Sequence, residues 1–138
     1  MRKYNTGHFH SKSGRESLYF EQFFPPEGTE VGCHLVVLHD LFDYHSRYSF
    51  VAGDRRSQNS NPFFESPVAI SFLDLKGHGL SSGTRGHVDN FDDYVEDLTT
   101  FLQQVEKEPP LSEVPLVLMG QGLGGLVAIR YHQLNRER

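Results

Sequence analysis

The sequence predicts an α/β domain: a mostly parallel sheet, entered through an antiparallel N-terminal strand and flanked by helices. Three observations predict it. Three short apolar runs, Leu35–Leu38, Val68–Leu73 and Leu116–Met119, are too brief for helices and rich in β-branched residues, as strands buried on both faces of a parallel sheet are. Helical patterns lie between and after them. A polar/apolar alternation of period two precedes them all.

The alternating segment is Ser17 to Phe24. Leu18, Phe20 and Gln22 fall on one side, Tyr19, Glu21 and Phe23 on the other, which predicts a half-exposed antiparallel strand. Pro25-Pro26-Glu27-Gly28 then forces a turn. Residues 1–16 are polar and are read as a tail, so the domain is expected over 17–138. A short helix is expected from Ser46 to Ala52, and a loop from Gly53 to Pro67 that contains Phe63-Phe64. These two phenylalanines are read as packing into the loop or core, with lipid contact as the alternative.

The main helix follows the second apolar run. Phe91, Tyr94, Val95, Leu98, Phe101, Leu102 and Val105 recur at three- and four-residue spacings and form one apolar stripe. Asp89 is expected to cap it, Asp92 and Asp93 to favour its first turn, and Pro109-Pro110 to end it. Asp92-Asp93 and Glu96-Asp97 are read as a solvated face. A second helix is expected from Leu123 to Leu134, with Val127, Tyr131 and Leu134 on one side. Strand, helix, strand, helix implies right-handed crossovers.

Composition narrows the function. The 138 residues carry a net charge of −5, with a pI near 5.9, and show no concentrated basic face, so no nucleic-acid partner is expected. Cys33 is the single cysteine and is read as a small buried thiol. No run approaches the roughly 18 apolar residues of a membrane span, and the N-terminus lacks a signal-peptide core. A cytoplasmic protein without a transmembrane segment is expected.

Ligands in such sheets bind at the carboxyl ends of the strands. Three segments leave those ends: His39-Asp40-Leu41-Phe42, Asp74-Leu75-Lys76-Gly77-His78-Gly79-Leu80-Ser81, and Gly120-Gln121-Gly122-Leu123-Gly124-Gly125. The block from Asp74 to Val88, followed by Phe91, Asp92, Tyr94, Asp97 and Leu98, resembles the monoacylglycerol lipase and lysophospholipase branch of the α/β-hydrolases, the serine aminopeptidase S33 type. His39, Tyr44-His45-Ser46-Arg47-Tyr48 and the glycine-rich turn fall in that family's order. The resemblance covers Ser17 to about Leu134 and implies the N-terminal half of an α/β-hydrolase fold.

In that family the elbow between strand and helix reads Gly-x-Ser-x-Gly. The position of the nucleophilic serine is Gly122 here. Glycine forms no acyl-enzyme, though it tolerates the elbow's backbone. The resemblance places the oxyanion-hole donors at the backbone N–H groups of Leu41 and Leu123. Where the family has His-Gly, this chain has His39-Asp40, and a carboxylate there opposes developing negative charge. The family's acid and base follow the nucleophile in chain order and are expected to be absent before Arg138. His78 and His87 are assigned structural hydrogen bonds by the same resemblance.

Competing readings are weighed beside these. His39 is read as bracing its loop rather than serving an active site. Asp74 is read as fixing the glycine turn rather than holding a metal with His78, and no metal or cofactor is expected. Gly120, Gly122 and Gly125 also match Gly-x-Gly-x-x-Gly, a dinucleotide-binding turn, which would call for an acidic residue about 20 positions on. The expected function is a hydrolase-like protein inactive in this form. The alternatives are a non-catalytic module for an acyl ligand or a partner, and a truncated or engineered form of an active carboxylic-ester hydrolase. The expected ligand class is an acyl-glycerol or lysophospholipid. A homo-oligomer or partner chain is expected to cover the sheet edge at Leu116–Met119.

Overall fold

The computed structural model describes residues 3–53 and 66–137. Among them, one five-stranded mixed sheet runs in the order β1-β2-β4-β3-β5. The strands are β1 (Lys3–His10), β2 (Ser17–Phe24), β3 (Cys33–Leu38), β4 (Val68–Leu73) and β5 (Leu116–Gly120). β1 with β2 and β2 with β4 pair antiparallel; β3 pairs parallel with both β4 and β5. The helices are α1 (Asp92–Val105) and α2 (Leu123–Leu134). A 3-10 turn spans His45–Val51, where a short helix is expected.

The period-two rule divides the core. On β3, Val36 and Leu38 join Leu98, Phe101 and Leu102 of α1 and Val127 and Tyr131 of α2 in one buried cluster. Leu35 and Val37 point the other way, with Ile70 and Phe72, onto Tyr48, Val51 and Ala52. A buried polar trio crosses the sheet: Gln22 Nε2 donates to Ser71 Oγ at 3.2 Å, and His34 Nε2 lies 2.7 Å from the same oxygen.

Six expectations change. The segment read as a tail contains a strand, because Lys3–His10 is β1 in full register with β2. Only Phe9 on this strand is buried, against Phe20 and Phe101; an outer strand needs one apolar anchor and leaves its other side chains in water. Asp97 is not solvated: it is 2% exposed, with Lys76 Nζ 3.4 Å away. Its place between Tyr94 and Phe101 at helical spacing turns it inward, and burial pushes its pKa up to about 7. Asn90, not Asp89, holds the start of α1, accepting from Asp92 N–H at 2.9 Å. β5 is partly exposed, with Val117 at 45%, because it has a strand neighbour on one side only among the described residues. Leu134 is exposed and Cys33 half-buried. The Phe63-Phe64 loop lies outside the described residues.

Candidate functional site

The carboxyl ends of β3, β4 and β5 deliver three loops to one edge of the sheet, and backbone hydrogen bonds bind them together. Gln121 N–H donates to Leu38 O at 3.2 Å, joining the ends of β5 and β3. Leu75 N–H donates to His39 Nε2 at 3.0 Å, joining β4 to β3. That bond makes Nε2 an acceptor, so the ring proton sits on Nδ1, which donates to Asp40 O at 2.7 Å. His39 is 1% exposed, and burial holds its pKa below the ordinary imidazole value. A neutral ring with both nitrogens engaged is a loop brace and has no free lone pair for base catalysis.

The turn from β5 into α2 is sharp. Gly122 has φ 52° and ψ −117°, a region that costs glycine little and other residues on the order of 1–3 kcal/mol. Gly124 sits so close to β3 that a Cβ there would overlap Leu38 O. The sequence places glycine at both constrained points, so the sharp strand-to-helix turn forms at little conformational cost.

Beside this elbow stands Asp40. Its Oδ1 accepts from Leu41 N–H at 2.7 Å and from Leu123 N–H at 2.9 Å. The Leu123 bond, then the Leu41 bond, hold the carboxyl below the usual carboxylate range. Gly122, Leu41 and Leu123 therefore meet around one carboxylate. A recess of about 430 Å³ adjoins them, lined by Val37, Tyr48, Phe50, Met119 and Gly122. A larger hollow of about 1060 Å³ shares none of these residues and lies between β5 and α2, at Leu116, Leu118, Ala128 and Ile129.

Asp74 anchors the second loop. It is fully buried and accepts from His45 N–H, His45 Nδ1–H and Leu80 N–H at 2.8, 2.8 and 2.9 Å. Burial pushes its pKa up, but the His45 ring and the two backbone N–H groups outweigh that and leave it lowered. His45 also meets Glu21 of β2, Nε2 to Oε1 at 3.1 Å. Burial disfavours its charge, yet the two carboxylates raise its pKa to about 9. His45 thus ties β2 to the end of β4 as an imidazolium. Sequence reading did not find this role; an acidic residue on an alternating strand carries no sign of a partner in a distant loop. His78 Nδ1 lies 3.0 Å from Lys76 O, and His87 Nε2 lies 3.0 Å from Asp89, so both make local hydrogen bonds.

Ser46 Oγ lies 3.2 Å from His45 Nε2, which gives Ser46, His45 and Asp74 the connectivity of a triad. The charge is wrong for one. A base must be free to take the hydroxyl proton, and His45 at neutral pH already carries both protons between two carboxylates. Among the described residues, no group of three or more His, Cys, Asp or Glu side chains could hold a metal ion.

The family model for serine aminopeptidase S33, an α/β-hydrolase family, matches residues 34–138. The chain belongs to this family. Relatives include phospholipase YtpA of Bacillus subtilis (strain 168), 26% identical over 74% of this chain and 35% of its own length. Monoglyceride lipase of Rattus norvegicus is 30% identical over 80% of this chain and 33% of its length. The chain thus spans about a third of these curated relatives. A thermostable carboxyl esterase from Bacillus coagulans shares the fold, with a TM-score of 0.73 at 17% identity, over 95% of this chain and 40% of that one. No helix among the described residues is long and apolar enough to cross a membrane.

Proposed function

We propose that this chain is a hydrolase-like domain of the monoacylglycerol lipase and lysophospholipase kind that has lost the covalent serine route and, with this sequence, hydrolyses no ester. Gly122 carries the proposal. It stands at φ 52° and ψ −117° at the head of α2, where the elbow pattern requires a hydroxyl and glycine offers none. In a triad hydrolase, removing the nucleophile costs on the order of a million-fold in turnover. The relatives named for phospholipid and monoglyceride support an acyl-ester ancestry and an acyl-glycerol or lysophospholipid as the ligand class. On this reading the N–H groups of Leu41 and Leu123 are the oxyanion donors.

The test is reaction with a fluorophosphonate probe together with a monoacylglycerol hydrolysis assay. No adduct and no rate above buffer are expected. A stoichiometric adduct on any serine, Ser46 included, or a rate abolished by substituting a residue of this chain, would overturn the proposal.

A second reading, a non-catalytic partner-binding module, draws on the outer side of the fold. Val117 and Met119 of β5 and Leu126, Ile129 and Leu134 of α2 are all exposed apolar residues, and an open strand edge invites pairing. Light scattering on the purified chain decides it. A discrete dimer supports self-association through this edge; a monomer at high concentration removes that form of it.

A further inference from the structure

We propose that Asp40 is the built-in occupant of the elbow: its carboxylate fills the volume of the side chain missing at position 122 and takes both backbone N–H groups, so the chain closes its own site. The inference rests on reading Gly120–Gly124 as the elbow, and deepens it.

Three observations converge. First, the two donors come from distant parts of the chain, Leu41 after β3 and Leu123 at the first turn of α2, yet both end on Asp40 Oδ1. Two N–H groups with one carboxylate oxygen between them form a charge-assisted arrangement, strengthened by the positive end of the helix. Second, a Cβ on Gly122 would overlap Asp40 Oδ1 and Cγ. A side chain at 122 and the carboxylate of Asp40 therefore exclude one another. Third, the backbone of Asp40 is fixed. Its carbonyl accepts from His39 Nδ1–H at 2.7 Å and from Asp43 N–H at 3.2 Å, and His39 is itself held by Leu75 N–H. The carboxylate springs from a braced turn.

An anionic group of any ligand must therefore displace Asp40 before it reaches these donors, and a serine restored at 122 alone would collide with it. Freeing the donors takes one change, at Asp40; placing a side chain at 122 beside them takes both.

A double-mutant cycle on the whole chain tests this: wild type, Gly122→Ala, Asp40→Gly and the double variant, compared by thermal unfolding midpoint. The strain of alanine at this positive φ is present in both backgrounds and cancels. In the Asp40→Gly background, the drop caused by Gly122→Ala should shrink to roughly half or less of its value with Asp40 in place. Equal drops in both backgrounds overturn the proposal. Should Gly122→Ala fold in neither background, Asp40→Asn decides by amide NMR. Loss of the charge should move the Leu123 and Leu41 amide protons upfield together. A Leu123 amide that stays still while its counterpart moves overturns the proposal. Hydrolysis by the wild type would sink the proposed function without altering the cycle; equal drops in an inert protein would sink only the role of Asp40.

Discussion

Two loops leave the same edge of the sheet and differ in what holds them. The loop after β4 is built on a charged network, with Asp74 and Glu21 on either side of His45 and every Asp74 contact satisfied. The turn after β5 is built mainly on backbone, through Gly122, Gly124 and the bond from Gln121 N–H to Leu38 O, with the Asp40 carboxylate accepting from Leu123 N–H. The first depends on particular side chains, because buried charges need partners. The second rests chiefly on small residues that let the backbone turn sharply and approach β3 closely.

The largest effect should come from breaking the charged loop. Asp74→Ala leaves an imidazolium and two backbone N–H groups without their acceptor, which should cost about 3–5 kcal/mol; chemical denaturation would measure it. A loss below about 1 kcal/mol would mean that the loop stands on backbone geometry like its neighbour.

Next in size is the pH dependence. The folded-state pKa of His45 is raised to about 9. Its contribution is therefore full below the ordinary imidazole value of about 6.5 and is lost as pH climbs through about 9. Asp74 and Glu21 lie below their ordinary values, so theirs is present above the usual carboxylate range and fades as pH falls through the lowered values. Unfolding midpoints should decline on both the acid and the alkaline side, and His45→Gln should flatten the alkaline decline. An unchanged alkaline limb in His45→Gln would show that another group carries it.

The smallest effect should fall outside both loops. Arg130 of α2 grips Asp92 of α1 through Nε at 3.0 Å and a second guanidinium nitrogen at 3.2 Å, in an exposed pair. Arg130→Ala should cost under about 1 kcal/mol and less in high salt.

Much of this organisation is legible in one dimension. Period two marks β2, the apolar runs mark β3, β4 and β5, and helical spacing marks α1 and α2, because burial repeats with the geometry of each element. The sharp turn after β5 is legible too, since glycines cluster between an apolar run and a helical pattern, and Gly122 takes a positive φ there. Only the folded chain decided the rest. β1 hides because a polar outer strand needs a single buried residue, Phe9. Asp97 hides because one residue's helical phase turned it inward toward Lys76. The bonds from Leu41 and Leu123 to Asp40, and from His45 to Glu21 and Asp74, depend on which loops come together. Their partners are chosen by the sheet that brings those loops side by side, and a sequence pattern records the period of an element, not its neighbour across the fold.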